Sequence, residues 1–478
     1  MSTSTKKYLG LALGPVLFFA ILWGSPFAGL SPQANATLAC TVWVAFWWVS
    51  EVIPIPATSL LPIILLPLTG AAPIDQTTEA YGDKMLFLFM GGFIIAIAME
   101  KWGLHKRIAL TIIKAVGSSP DRILLGFMIA TGLLSMWISN TATTLMMVTI
   151  GSAIIQQTSE HLKTNGRGFY KALLLGIAYA ASIGGVATLV GTPTNPIFVA
   201  IAHDMYQTDI SFMGWMSFGV PFSILCIFFS WYYLSRIAYR LDSINMEMGV
   251  DVIDKELKRL GSISPEEKAV AWVFGLTALA WMTRTFFLNH LIPSINDTSI
   301  AIFAAVSLFV IPARRDNSTG LLSWDEATKL PWGVILLFGG GLSIAAAFKS
   351  SGLAAWFGDQ MTAFEVLPVF LIILLVTLIV NFLTEVTSNV ATASIILPVL
   401  AALSEAIGIH PFLLMIPATM AASCAFMLPV ATAPNAIVFA SGKLSVKDMA
   451  KAGFALNLFS SLVISLIGYF VLSLVFGL

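Results

Sequence analysis

The sequence predicts an all-α, polytopic membrane protein made of two halves of opposite topology, each with one re-entrant helical hairpin. Three features lead there. Of the 478 residues, 58% are hydrophobic and 10% charged, and mean hydropathy is +0.88; a soluble chain carries about 25% charged residues. Apolar runs such as 9–23, 212–233, 269–287 and 454–478 approach or exceed the ~20 residues that cross a bilayer. A polar knot also occurs twice, SNTATTLMM from residue 139 and SNVATASII from residue 388, 249 positions apart.

In chain order the predicted spans are 8–30, 37–50, 57–70, 85–100, 171–201, 212–236, 268–288, 298–312, 332–348, 412–441 and 453–478, eleven in all. Lys6 and Lys7 precede the first without a convincing cleavage site after it, so it reads as a retained span rather than a signal peptide. Two further apolar segments, 121–157 and 366–404, contain the knots. Both fall short of the more than ~40 residues that two crossings and a turn require. They read as hairpins that enter and leave on one side, with the knot at the tip.

Charge tests this threading. With the N-terminus inside, 22 of the 25 Lys and Arg fall on the cytoplasmic side, and only Lys84, Arg284 and Lys349 fall elsewhere. Basic residues favour that side, and counting either hairpin as one crossing would spoil the bias. The C-terminus then lies outside. The charged stretch 240–267 reads as a cytoplasmic linker, partly an amphipathic helix, between a first repeat (1–239) and a second (268–478).

The repeat extends beyond the knots. LFMGGFIIAIAMEKWGL (88–104) pairs with LFGGGLSIAAAFKSSGL (337–353), again 249 apart, and GTPTNPIFVA (191–200) pairs with ATAPNAIVFA (431–440), 240 apart. Inverted repeats with interrupted apolar segments point to a secondary transporter with its site near the bilayer midplane. Non-helical backbone at that depth must line a cavity or be buried in protein. Pro193, Pro196, Pro429 and Pro434 break their helices by removing donors, which frees carbonyls for a hard cation. Ser139, Asn140, Ser388 and Asn389 stand where a half-helix begins; Ser and Asn cap helices well, and the helix starts favour an anion.

Other polar residues divide between roles. Trp43, Trp47, Trp48 and Trp332 suit packing or the interfacial belt. Glu385, three residues before a tip, either takes part in function or braces the hairpin. Arg284 reads as structural. The five His are scattered. Cys40, Cys226 and Cys424 form neither a disulfide framework nor a metal knot.

The motifs SNTATT, SNVATA, GTPTNP, ATAPNA and WWVSEVIPIPATSLLP (47–62) together resemble the divalent anion:sodium symporter (DASS) family across essentially the whole chain. The resemblance implies a Na⁺-coupled importer of succinate, malate, fumarate, citrate or sulfate, most closely the bacterial dicarboxylate branch. It also implies a homodimer in the cell membrane whose protomers each slide a transport domain against a scaffold as an elevator. It places one sodium ion on carbonyls of Ser135, Ser139 and Gly191 with the Asn140 side chain. A second rests on carbonyls of Thr384, Thr387 and Ala431 with the Asn389 side chain. The dicarboxylate lies between, on Asn140, Thr141, Thr192, Asn389 and Thr432. Two positions depart from the family pattern. Val390 stands at the second tip where many members carry threonine, and Ala433 replaces a common proline.

The tips hold no Arg or Lys, so co-bound cations would offset the dianion in a medium where uncompensated charge is costly. A cation-independent exchanger of the same fold and a sulfate- or citrate-preferring symporter are the nearest alternatives. A channel fits the paired broken helices less well. An intramembrane enzyme would need a nucleophile with a base, or a metal cluster, which the scattered residues do not offer. No nucleic-acid partner is expected.

Overall fold

The structure, a computed structural model, describes residues 3–24, 27–159, 166–241, 249–314, 320–361 and 366–476. His161, Lys163, Arg315, residues 242–248 of the linker, and residues 25–26 and 477–478 of the end spans lie outside the described residues.

All regular structure among the described residues is helical, and eight helices are long and apolar enough to cross a membrane. Seven of the eleven spans suggested by the sequence hold one of these helices; the eighth, Asn389–Ala406, is an arm of the second hairpin, and three of the other four spans are short or broken. The 57–70 span is two short helices, Ile55–Thr58 and Leu61–Leu68. Each has a proline within its first turn, where the missing N–H costs nothing. The break exposes the Ser59 carbonyl, which accepts from the Tyr81 hydroxyl, while the Ser59 hydroxyl accepts from Trp48 Nε1 at 3.0 Å. Residues 298–312 form a 14-residue helix, Asp297–Val310. The 412–441 span splits into Phe412–Ala422 and Ala433–Ala440.

Helix boundaries recur at the sequence offset. The first hairpin is Pro120–Ser135 and Asn140–Ser159; the second is Val369–Thr384 and Asn389–Ala406. Each pair is joined by four residues, and three of the four boundaries coincide after adding 249. Two helices that the sequence did not single out obey the same offset. Leu104–Val116 follows Gly103 and Leu353–Gln360 follows Gly352. Both glycines have left-handed φ, 74° and 79°, a conformation that a Cβ disfavours, and each turns the chain out of the preceding Gly-rich helix.

The halves interlock. Gly166–Val186 packs along both arms of the first hairpin, and Phe412–Ala422 along both arms of the second. The second piece of each broken helix crosses over: Ala433–Ala440 packs on the first hairpin, and Thr194–Tyr206 on the second. This exchange brings the two tips together.

Ion pairs join residues that the threading puts on one side. Lys101 meets Glu326 at 2.9 Å, Lys171 meets Asp448 at 2.7 Å and Lys84 meets Asp209 at 2.7 Å. Arg284 binds the buried Asp297 at 2.6 Å, which gives it the structural role expected. The linker helix Gly249–Leu260 docks on Leu104–Val116 through Lys106–Glu256 and Lys114–Asp254, each at 2.7 Å. The hydrogen bond from Lys106 holds the Glu256 carboxyl below its ordinary range.

Candidate functional site

Both tips and both breaks face one cavity of about 950 Å3. Of the residues singled out in the sequence, Ser139, Asn140, Thr141, Gly191 and Thr192 line it from the first half. Thr387, Asn389, Val390, Ala431 and Thr432 line it from the second. Ser135 and Thr384 do not; they lie fully buried behind the two asparagines. Across the cavity stand Phe89, Phe93, Pro331 and Val334.

Each tip is a turn that ends one helix and starts the next. Thr143 N donates to Ser139 O at 3.0 Å and Thr392 N to Ser388 O at 2.9 Å, 249 positions apart. The expected side-chain cap is not made at Ser388, which lines the cavity. Thr432 does cap its helix, accepting from Asn435 N at 3.2 Å.

Behind the first tip, oxygen atoms crowd together. Ser135 Oγ lies 2.5 Å from Asn140 Oδ1 and 2.8 Å from the Ala181 carbonyl. It has one hydrogen for two acceptors. With its oxygen turned this way, the Asn140 amide faces acceptors, including the carbonyls of Gly191 and Ala181. Rotated by half a turn, its nitrogen donates to both at 3.3 Å. The second tip repeats the pattern: Thr384 Oγ1 lies 2.7 Å from Asn389 Oδ1 and 2.8 Å from the Ala422 carbonyl. A serine or threonine hydroxyl, an asparagine oxygen and freed carbonyls are hard oxygen donors of the kind that hold a small hard cation. The residues thus fit Na⁺ at both tips.

The breaks are held open by paired amides. Asn195 Nδ2 donates to the carbonyls of Gly185, Val186 and Thr188 at 3.3, 3.3 and 2.7 Å. Asn435 Nδ2, 240 positions on, donates to Ala425 and Leu428 at 3.1 and 3.0 Å, the equivalents of Gly185 and Thr188. Ser423 of the second break meets Thr194 of the first at 2.7 Å and Thr192 at 3.4 Å, through side-chain hydroxyls. Glu385 braces the second break, accepting from the backbone N–H groups of Phe426, Met427 and Leu428 at 2.7, 2.9 and 3.0 Å. Its equivalent in the first half is Met136, whose carbonyl accepts from Thr188 Oγ1 at 2.5 Å.

The chain matches a family model described as the sodium:sulfate symporter transmembrane region over residues 6–477. The chain belongs to that family, known also as the divalent anion:sodium symporters. It is a multi-pass membrane transporter and not an enzyme. It is 47% identical over 485 residues to a sodium-dependent dicarboxylate transporter of Staphylococcus saprophyticus, covering 100% of this chain and 93% of that relative. A protein of the same name from Staphylococcus aureus strain MRSA252 is 46% identical over 483 residues, covering 99% and 93%. Among solved structures, the YdaH transporter of Alcanivorax borkumensis has a TM-score of 0.60 at 14% identity, covering 85% of this chain and 88% of that one. MtrF of Neisseria gonorrhoeae has a TM-score of 0.56 at 11% identity, covering 83% of each chain. These two share the fold.

Three features escaped sequence reasoning. The Ala181 and Ala422 carbonyls have no side-chain signal. The Asn195 and Asn435 braces did have one, being the asparagines of the two break motifs. The tips carry no basic residue, as expected, but Lys329 lines the cavity with Glu51 and Glu100, at helix ends that sequence alone does not bring together.

Proposed function

We propose that the chain couples the entry of C4-dicarboxylates such as succinate, malate and fumarate to the entry of Na⁺. The single observation that carries this is the pair of matching oxygen clusters, each directly behind a tip that faces one shared cavity. The names of the Staphylococcus relatives support the same substrate class.

In this mechanism Na⁺ at the first tip takes Asn140 Oδ1 together with carbonyls of Ser135, Ser139, Ala181 and Gly191. The amide nitrogen is then turned away from those carbonyls and is free to donate to a carboxylate. Asn389, with Thr384, Thr387, Ala422 and Ala431, does the same at the second tip. The dianion lies between, on Asn140, Thr141, Thr192, Asn389 and Thr432, near two helix starts that favour anions. Without co-bound cations its charge would be costly at this depth. More than two Na⁺ per dianion makes import electrogenic, worth about 2.3 kcal/mol per net charge per 100 mV.

Tips and breaks form one packed unit through the exchanged helices. We assign alternating access to movement of this unit past the wall of Phe89, Phe93 and Val334, as an elevator. The two repeats, 1–239 and 268–478, have inverted topology around hairpins 121–157 and 366–404, joined by the linker 240–267. The protein works as a homodimer in the cell membrane, N-terminus inside and C-terminus outside.

Labelled succinate uptake into proteoliposomes tests the coupling. Uptake is expected with Na⁺ outside and not with K⁺ or choline, and to be reduced by citrate more than by sulfate. Equal uptake in choline would replace symport by Na⁺-independent exchange.

Val390 tests the anion position. It lines the cavity and is 8% exposed. Val390→Thr adds a donor of nearly the same shape, and a hydrogen bond contributes about 0.5–1.5 kcal/mol, more to a charged acceptor. The ranking of succinate, malate and citrate in competition curves is expected to change by about threefold or more, with Na⁺ dependence kept. Superimposed curves would remove the anion from the second tip.

A further inference from the structure

We propose that Glu385, Asn381 and Asn457 hold a third cation, Na⁺, beside the second tip. This rests on the Na⁺-coupled mechanism above and adds a site to it.

Glu385 is 3% exposed. Its Oε1 accepts three hydrogen bonds, from Phe426 N, Met427 N and Asn457 Nδ2 at 2.7, 2.9 and 2.8 Å. Its Oε2 accepts one, from Leu428 N at 3.0 Å, and keeps lone-pair capacity. Among the described residues no Lys, Arg or His comes within ion-pair distance of this carboxyl. A carboxylate buried without a counter-charge is costly.

Unpartnered oxygens sit on its Asn457 donor and on residues one helical turn from it or from that donor. Asn457 is fully buried, and its Oδ1 has no partner although its nitrogen is on Glu385. Asn381 lies one helical turn before Glu385, on the same face. It too is fully buried, with its nitrogen on the Cys424 carbonyl at 2.9 Å and its Oδ1 without a partner. Ser461, one turn after Asn457, adds a buried hydroxyl without a partner. Buried polar atoms are normally satisfied, so three orphans on the Asn457 donor and within one helical turn of Glu385 or Asn457 call for a ligand. All the atoms on offer are oxygens, which suits a hard cation.

A brace alone does not explain the cluster. The positions 249 residues earlier are Gly132 and Met136, neither with a side-chain oxygen, yet the first hairpin forms the same turn. The third site therefore belongs to the second half only.

The ratio of Na⁺ to succinate, read from the reversal potential of purified protein in proteoliposomes, tests this. About three Na⁺ per dianion are expected, one beyond the two tips, with net charge setting the potential. A ratio of two with uptake still requiring Na⁺ overturns the third site and leaves Na⁺ coupling standing. Uptake that ignores Na⁺ overturns both. A ratio of two with uptake driven by external acid assigns the cation as a proton and also overturns it. Asn381→Leu keeps the volume and removes the oxygen. It is expected to lower the ratio to about two and raise half-saturating Na⁺ about tenfold. An unchanged ratio in monodisperse, transporting Asn381→Leu protein overturns the proposal. If that variant does not transport, the parent ratio decides.

Discussion

Asn140→Ala and Asn389→Ala are each expected to raise the Na⁺ concentration for half-maximal succinate uptake by about tenfold or more and to reduce the maximal rate as strongly. Each asparagine stands between two partners: a hydroxyl and carbonyls behind it, the cavity in front of it. Alanine removes the amide oxygen proposed to serve the cation alongside the neighbouring hydroxyl and carbonyls, and the amide nitrogen proposed to serve the anion. The defect should therefore appear in both Na⁺ and succinate titrations. A variant with normal Na⁺ dependence, reconstituted at the same protein-to-lipid ratio, would show that its tip holds no cation.

Gly185→Ala is expected to reproduce much of the Asn140 defect without changing any atom proposed to contact a ligand. A Cβ at residue 185 would come within 2.8 Å of both amide atoms of Asn140 and 3.1 Å of the Gly191 carbonyl. The amide is the end of a side chain and can move aside, so the fold should survive while the first oxygen cluster loses its asparagine. An increase in half-saturating Na⁺ of about tenfold is expected, measured beside thermal unfolding to show that stability is nearly kept. The second half provides the control. Its equivalent residue is Ala425, which already carries a methyl group, so Ala425→Gly should leave Na⁺ affinity unchanged. A Gly185→Ala protein with parental Na⁺ dependence would mean that the Asn140 amide does not need its present position.

Much of the site was readable in the sequence. Tips and breaks were legible because polar residues and prolines are conspicuous in an apolar chain and because they recur at fixed offsets. Ten of the twelve residues named for the site line one cavity, and the other two, Ser135 and Thr384, support the asparagines from behind. What stayed hidden was carried by backbone: the carbonyls of Ala181 and Ala422 are supplied by residues indistinguishable from packing. Helix count was hard to read for a related reason. A bilayer-length rule sees apolar content, whereas Ile55–Thr58 and Leu61–Leu68 are separated by backbone geometry around Ser59. Glu385 could be read either way: its three backbone donors make it a brace, and the proposed cation role adds to that.

The offset drops from 249 at the tips to 240 at the breaks. The two halves differ by nine residues of length between hairpin and broken helix. The change falls after position 157 in the first copy and after 406 in the second, far along the hairpin arm from the tip. Within each block no residue was gained or lost: Ser135 to Asn140 and Thr384 to Asn389 keep the same spacing, as do Gly185 to Asn195 and Ala425 to Asn435. The connection can differ in length between the halves because the oxygen clusters are assembled by packing across it. The same tolerance makes that connection the place where a tag or reporter domain can be inserted without disturbing either cluster.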